Sequence, residues 1–292
     1  MPHLTVLRPG PLRPAPSLLL LAAAFGSCQG RAPDPPFPAS DTGGGTTPSL
    51  EVLAGSWSGL LWPEASTEPL VIALGYDESG QPVEAWLGDG ASWLPETSEL
   101  EANLDPGGSA SILLQPLLPG APALELRGPL GPEGLPGGWF RLETAEAPPV
   151  EGVFELQPTG PGFFSVGEHL AGRWTGFLDP AEAHRRPSVL TLSADGGIPD
   201  GRFGEKAADE DLSEPGLVSF ADADLGRVED FCVWLEDGTH LRCDFLLVDP
   251  AGEWLQGDGW QEQFGAFQLT LARVPEASLD GAAGSGGSAA GR

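Results

Sequence analysis

LAGSWSG at Leu53–Gly59 and LAGRWTG at Leu170–Gly176 are nearly the same seven residues written twice. Gly55, Trp57 and Gly59 stand at one constant spacing from Gly172, Trp174 and Gly176. Two further landmarks follow in the same order. GGW ending at Trp139 parallels GDGW ending at Trp260, and GVFEL at Gly152–Leu156 parallels GAFQL at Gly265–Leu269. One short match is cheap, but three in sequence indicate an internal duplication, with units at 51–158 and 168–275. The fold must therefore be one that roughly a hundred residues can complete.

Each unit reads as antiparallel β structure. Gly and Pro supply about a quarter of the chain, far more than helices tolerate and well suited to short strands with many turns. Pro69–Tyr76 and Ser188–Ser193 are β-rich runs that end in the turn signals DESG and ADGG. SASILLQPLL, APALELRG, GWFRLE, LRCDFLLV and FGAFQLTLARV have the same character. No stretch holds a 3.6-residue period; ETSELEANL and DPAEAHRR offer at most a helical turn or two. A closed or nearly closed barrel removes the unpaired edges of such a meander. A smaller, partly open barrel or a β-sandwich also satisfies the pattern. With 40% hydrophobic residues and nine Trp, there is enough apolar material for a packed core.

A Gly-x-Trp in a first strand, followed by another Gly, resembles the opening of the lipocalin and avidin-type barrels, the calycins. The resemblance rests on Gly55 and Trp57 in one unit and on Gly172 and Trp174 in the other. It implies an all-β chain of two tandem, small antiparallel β-barrel (lipocalin-like) domains. The Trp would plug one end of each barrel, and the other end would open on a ligand cavity. It also implies an Arg from the last strand lying over the Trp. Arg273 in LTLARV suits that role, whereas the first unit ends FELQPTG without an Arg. Core packing alone also accounts for both Trp residues.

The amino end has Arg8 and Arg13, an apolar run at Leu18–Phe25, and then small residues. That is a secretory signal pattern, and the run is too short to span a bilayer. Phe25-Gly26-Ser27-Cys28 resembles the lipobox of bacterial lipoproteins, although Phe25 stands where Leu is usual. The resemblance implies a signal peptide at 1–27, lipidation of Cys28, and an exported body anchored by lipid to the outer membrane or cell surface. Gln29, rather than Asp, favours the outer membrane. A cleavable signal with a secreted or periplasmic product is the alternative. The segment 28–50, with almost no aliphatic side chains, reads as a flexible tether, and 276–292 as a disordered tail.

Cys232 and Cys243 flank Asp237-Gly238, a strong two-residue hairpin turn. Counting outward pairs Trp234 with Leu241 and Cys232 with Cys243, directly across the ladder. In an oxidising compartment this predicts a disulfide, with a loop-closure contribution of about 3 kcal/mol. A three-residue turn would spoil the register and leave two free thiols.

The net charge is −28, and removing 1–27 takes away Arg8 and Arg13 but no acid. Such a surface repels phosphate backbones, which excludes nucleic acid as a partner. Lys206 is the single lysine. His169, His184 and His240 form no metal pattern and read as surface histidines. GSWSG puts Trp57 where a nucleophile elbow needs Ser. Asp222, Asp224, Glu229 and Asp230, or Asp209 to Glu214, could hold Ca²⁺ through oxygen, but neither cluster has EF-hand spacing, and solvated loops explain both. No catalytic residue, metal site or cofactor is expected. The function that remains is non-catalytic binding of a small or apolar ligand, or of a surface partner, at the cell envelope. A structural or adhesion spacer with filled barrels is the alternative. A hydrolase using paired carboxylates is less favoured, since acidity alone supports it.

Overall fold

A computed structural model of the 292-residue chain describes residues 49–275 apart from 146, 181–183, 204–209, 236–239 and 262–264. For 210–215, 230 and 235 only the backbone is described. The expected signal peptide, the lipidated Cys28, nearly all of the tether, the tail and the Asp237-Gly238 turn lie outside the described residues, as do Lys206 and Asp209. The fold is all-β, in two antiparallel sheets, and is compatible with calycin-type barrels. No helix among the described residues is long and apolar enough to cross a membrane.

The first sheet uses β1 (Gly55–Pro63), β2 (Leu70–Tyr76), β3 (Pro82–Leu87), β4 (Ser92–Trp93), β5 (Ser98–Leu104), β6 (Ser109–Pro116), β7 (Ala123–Pro129), β8 (Gly137–Glu143) and β9 (Val150–Thr159). Its order is β4-β3-β2-β1-β9-β8-β7-β6-β5, a meander whose first long strand pairs with its last. The remaining gap is stitched by a side chain. Gln81, just before β3, donates its Nε2 to the Ala102 carbonyl (3.1 Å) and accepts the Ala102 N–H at Oε1 (2.9 Å). The amide of Gln81 thus stands in for a strand residue beside β5. Ser98–Leu104 is β5 itself and not the helical turn expected there. Its alternation places Ser98 and Ala102 inward while the Glu residues between them face out.

The second sheet uses β10 (Gly172–Pro180), β11 (Arg186–Leu192), β12 (Gly197–Ile198), β13 (Asp200–Phe203), β14 (Glu210–Asp222), β15 (Arg227–Leu235), β16 (His240–Val248), β17 (Trp254–Gln261) and β18 (Gly265–Arg273). Here β14 also pairs with β15, so β10, β11, β13, β14, β15, β16, β17 and β18 close into a ring.

The repeated heptad has one structural meaning in both sheets. Leu53 and Leu170 end short helical turns, Leu50–Leu53 and Val166–Leu170, that lie across a barrel end. The Trp57 indole donates to the Leu53 carbonyl at 2.7 Å, and Trp174 donates to Leu170 at 2.8 Å. Both rings are buried at equivalent ladder positions, opposite Leu74 and Leu190. Gly55 and Gly172 take positive φ, +102° and +136°, where the chain turns from helix into strand. The last glycine permits close approach. A Cβ on Gly59 would sit 1.9 Å from the Glu155 carbonyl oxygen, and one on Gly176 2.0 Å from that of Thr270. Gly176→Ala is therefore expected to cost about 1–3 kcal/mol, read as a lower midpoint in denaturant.

The other two landmarks align differently in space. Gly59 pairs with Leu156 and Gly176 with Leu271, so GVFEL matches the strand two residues beyond GAFQL. A two-residue slip keeps every side chain on its face, so the alternation could not reveal it. By the same register, Trp139 corresponds to Asp258 and not to Trp260. The correspondence exposes a reversed pair: Phe140 opposite Gly152 in one unit becomes Gly259 opposite Phe267 in the other.

Candidate functional site

The barrel axis is where a calycin would hold its ligand, and here it is packed with side chains. Trp57, Leu61, Ile72, Leu74, Phe140 and Phe154 belong to the first core; Trp174, Leu178, Phe203, Phe231, Leu246 and Leu269 belong to the second. Each is 3% exposed or less. Tyr76 buries its hydroxyl among the first group without a hydrogen-bond partner, and burial pushes the phenol well above its ordinary value.

Arg273 does reach the second plug. It pairs with Trp174 in the ladder, its guanidinium carbon lies 5.0 Å from the indole centroid, and it donates to the carbonyls of Glu168 (3.1 Å) and His169. In the first unit Pro158 occupies the equivalent place opposite Trp57. There Gly134 packs on the ring instead; a Cβ on it would come within 2.0 Å of the indole.

The expected Cys232–Cys243 disulfide is not formed; both thiols are free. Cys232 pairs with Arg242, Val233 with Leu241 and Trp234 with His240, one residue away from the expected register. That slip sends Cys243 into the core and leaves Cys232 half-buried with its side chain on the other face. Burial pushes both thiols upward, Cys243 the further.

His169 is also not on the surface. It is buried against Phe163 and Phe164, and its Nδ1 accepts the Ser165 N–H at 3.1 Å. His184 is exposed, and His240 lies beside Trp234 on the outer face. The acidic loop before β15 serves its own backbone. Asp222 Oδ1 accepts from the N–H groups of Asp224 and Leu225, and Asp224 Oδ1 accepts from Gly162 in the linker between units. Among the described residues, no group of three or more His, Cys, Asp or Glu is arranged to hold a metal ion. Side chains of 210–215 and 230 lie outside the description.

What the structure builds, and the sequence reading missed, is a seam between the units. Strand β2 packs its second face on β16 and β17, burying Val71 and Ala73 against Leu225 and Leu247. Trp86 meets Phe245 edge-on at 5.5 Å. Gln256, 1% exposed, repeats the device of Gln81. Its Oε1 accepts the Val71 N–H at 2.8 Å, and its Nε2 donates to the Pro69 carbonyl at 2.6 Å. Gln268 Nε2 donates to the Asp89 carbonyl at 2.7 Å. Paired backbone groups and buried apolar area hold the units together.

Beside the seam opens a cleft of about 360 Å³. Its walls are outward-facing side chains of the second barrel, including Phe177, Pro187, Val189, Trp254 and Thr270, with Glu68 of the first unit at its edge. Asp249 positions Trp254: its Oδ1 accepts the N–H groups of Glu253 (2.7 Å) and Trp254 (2.6 Å). At the rim, Arg185 bonds Glu68 (2.9 Å) and Asp179 (3.2 Å) and lies 3.8 Å from the centroid of Phe177. Burial raises Asp179 above its ordinary value, against the pull of Arg185. An apolar, aromatic-walled cleft with Arg185 ion-paired to two carboxylates at its mouth can take a small hydrophobic group; among the described residues no nucleophile and base face each other in it. No protein-family model matches the chain, and no characterised protein matches it either.

Proposed function

We propose that the chain is a non-catalytic binding protein of the cell envelope, exported and tethered through a lipid on Cys28. In this reading its two barrels are solid scaffolds, and a small apolar ligand is taken at the cleft on the outer face of the second, beside the seam. The tether sequence 28–50 would set the body off from the outer membrane. The observation that carries this reading is the placement of the open volume. The cores are filled, whereas the cleft falls within the size of small-molecule sites, about 300–1,000 Å³.

Titration with N-phenyl-1-naphthylamine, a neutral apolar fluorophore, tests it. The folded protein is expected to give saturable enhancement. Thr270→Trp, which fills the cleft from its wall, is expected to weaken binding at least about tenfold. Equal binding by the filled variant, or none by the parent, overturns the reading. The packed interiors would then favour a structural or adhesion spacer that works through its outer surface.

A further inference from the structure

The seam half-buries two carboxyl groups that no salt bridge among the described residues neutralises. Asp89 lies in the turn between β3 and β4, and Asp258 points outward from β17 toward that turn. Gly90 packs directly on Asp258, with a built Cβ 3.1 Å from its Cβ and Cγ. Gln268, the ladder partner of Asp258, donates to the Asp89 carbonyl, so the two carboxyls are pinned on adjoining backbone. Asp89 Oδ1 accepts from Ala91 N–H at 3.1 Å, but its Oδ2 is shut from solvent without a hydrogen-bond partner. Asp258 Oδ1 is in the same state. A carboxyl oxygen shut from water with no donor, one on each side of the interface, disfavours the ionised form of both groups.

We propose that Asp89 and Asp258 form a proton-operated latch on the seam, closed while their carboxyls are protonated and loosened when both are ionised. The surroundings reinforce this. Asp244 on β16 adds a third negative charge beside Asp258, and the neighbouring Cys243 thiol is kept neutral by burial. Gln268 is uncharged. Arg227 lies over the Trp86 ring at 4.7 Å, and Glu84 accepts the Trp86 indole N–H. Neither aspartate makes a salt bridge among the described residues. Burial pushes Asp89 up to about 6; burial, then the charges of Asp244 and Asp89, push Asp258 up to about 6 as well.

The sign follows from linkage. Both folded values lie above the unfolded carboxylate value, so the closed seam holds more protons than an open one. Its stability is complete below about pH 4 and is lost as pH rises through about 6. Between about pH 4 and about pH 6 each pH unit shifts the open–closed balance by up to about tenfold per proton released, and well above that window the balance levels off.

Hydrogen exchange at the Val71 N–H, which donates to Gln256 across the seam, reads the latch. After correction for intrinsic exchange, its protection is expected to fall about tenfold or more between about pH 5.5 and pH 7.5. Amides of β6, inside the first sheet, should not follow. Asp89→Asn and Asp258→Asn each replace one titrating carboxyl by a neutral amide and are each expected to make the fall several-fold smaller than in the parent. Unchanged parental protection between the two pH values overturns the latch, as does the same fall persisting in both variants. The parental comparison decides by itself should either variant not fold.

Discussion

Exchanging Phe140 and Gly152 within their own cross-strand pair is expected to leave the first unit as unstable as Phe140→Gly alone. The second unit carries that pair in the opposite order, as Gly259 and Phe267, so side-chain volume alone would predict recovery. The backbone forbids it. A Cβ on Gly152 would lie 2.7 Å from the Phe140 ring, a clash the exchange removes, but also 2.0 Å from the Trp62 carbonyl oxygen, which it does not. The glycine of the second unit is hemmed in likewise, by the Arg242 carbonyl oxygen at 2.2 Å. Each barrel has coiled its strands tightly on its own glycine side. Phe140→Gly should lose at least about 3–5 kcal/mol through the cavity it leaves. Chemical unfolding followed by tryptophan fluorescence measures both variants. A double variant that unfolds near the parental midpoint would show that only ring volume matters.

Trp174→Ala is expected to cost about 3–5 kcal/mol, the scale for truncating a large core aromatic. Three losses coincide there. The ring leaves a void at the barrel end, the Leu170 carbonyl loses its indole donor, and Arg273 loses the surface it lies on. Trp174→Phe separates them, since it keeps most of the volume and removes only the N–H, for about 1–3 kcal/mol. Equal damage from Ala and Phe would mean that the hydrogen bond, and not the packing, holds the plug. No stability change in either would remove the ring from the core altogether.

The heptad was legible because each of its residues answers to a backbone demand: a positive φ, a buried indole, a strand crossing too near for Cβ. Such demands constrain residue type tightly, so Gly55, Trp57 and their copies announced themselves. The strand β5 did not, because SELEANL mixes charged and small residues with Leu in a pattern a helical turn also satisfies. The cysteine register failed on a single residue. A shift of one residue from the register that Asp237-Gly238 implies reverses the face of one partner, and residue counting cannot detect that. The seam left a trace that was available. LVIAL in β2 has no polar alternation, the mark of a strand buried on both faces. Phe177 and Trp254 are likewise apolar on the outward parity, next to inward Leu178 and Leu255. The carboxyl pair left none, since Asp89 and Asp258 look like any others among 42 acidic residues until the turn and β17 are brought together.

Pairing β1 with β9, and β10 with β18, fixes when each ring can form as the polypeptide emerges from the ribosome. Neither can seal until its final strand exists, because the opening strand waits for a neighbour at the far end of the same unit. The amino-terminal ring can close while its sibling is still being made. The carboxy-terminal ring must keep β10 exposed until β18, which ends at Arg273, has been made. Long-range closure of this kind is slow, and an unsealed edge invites wrong partners in the meantime.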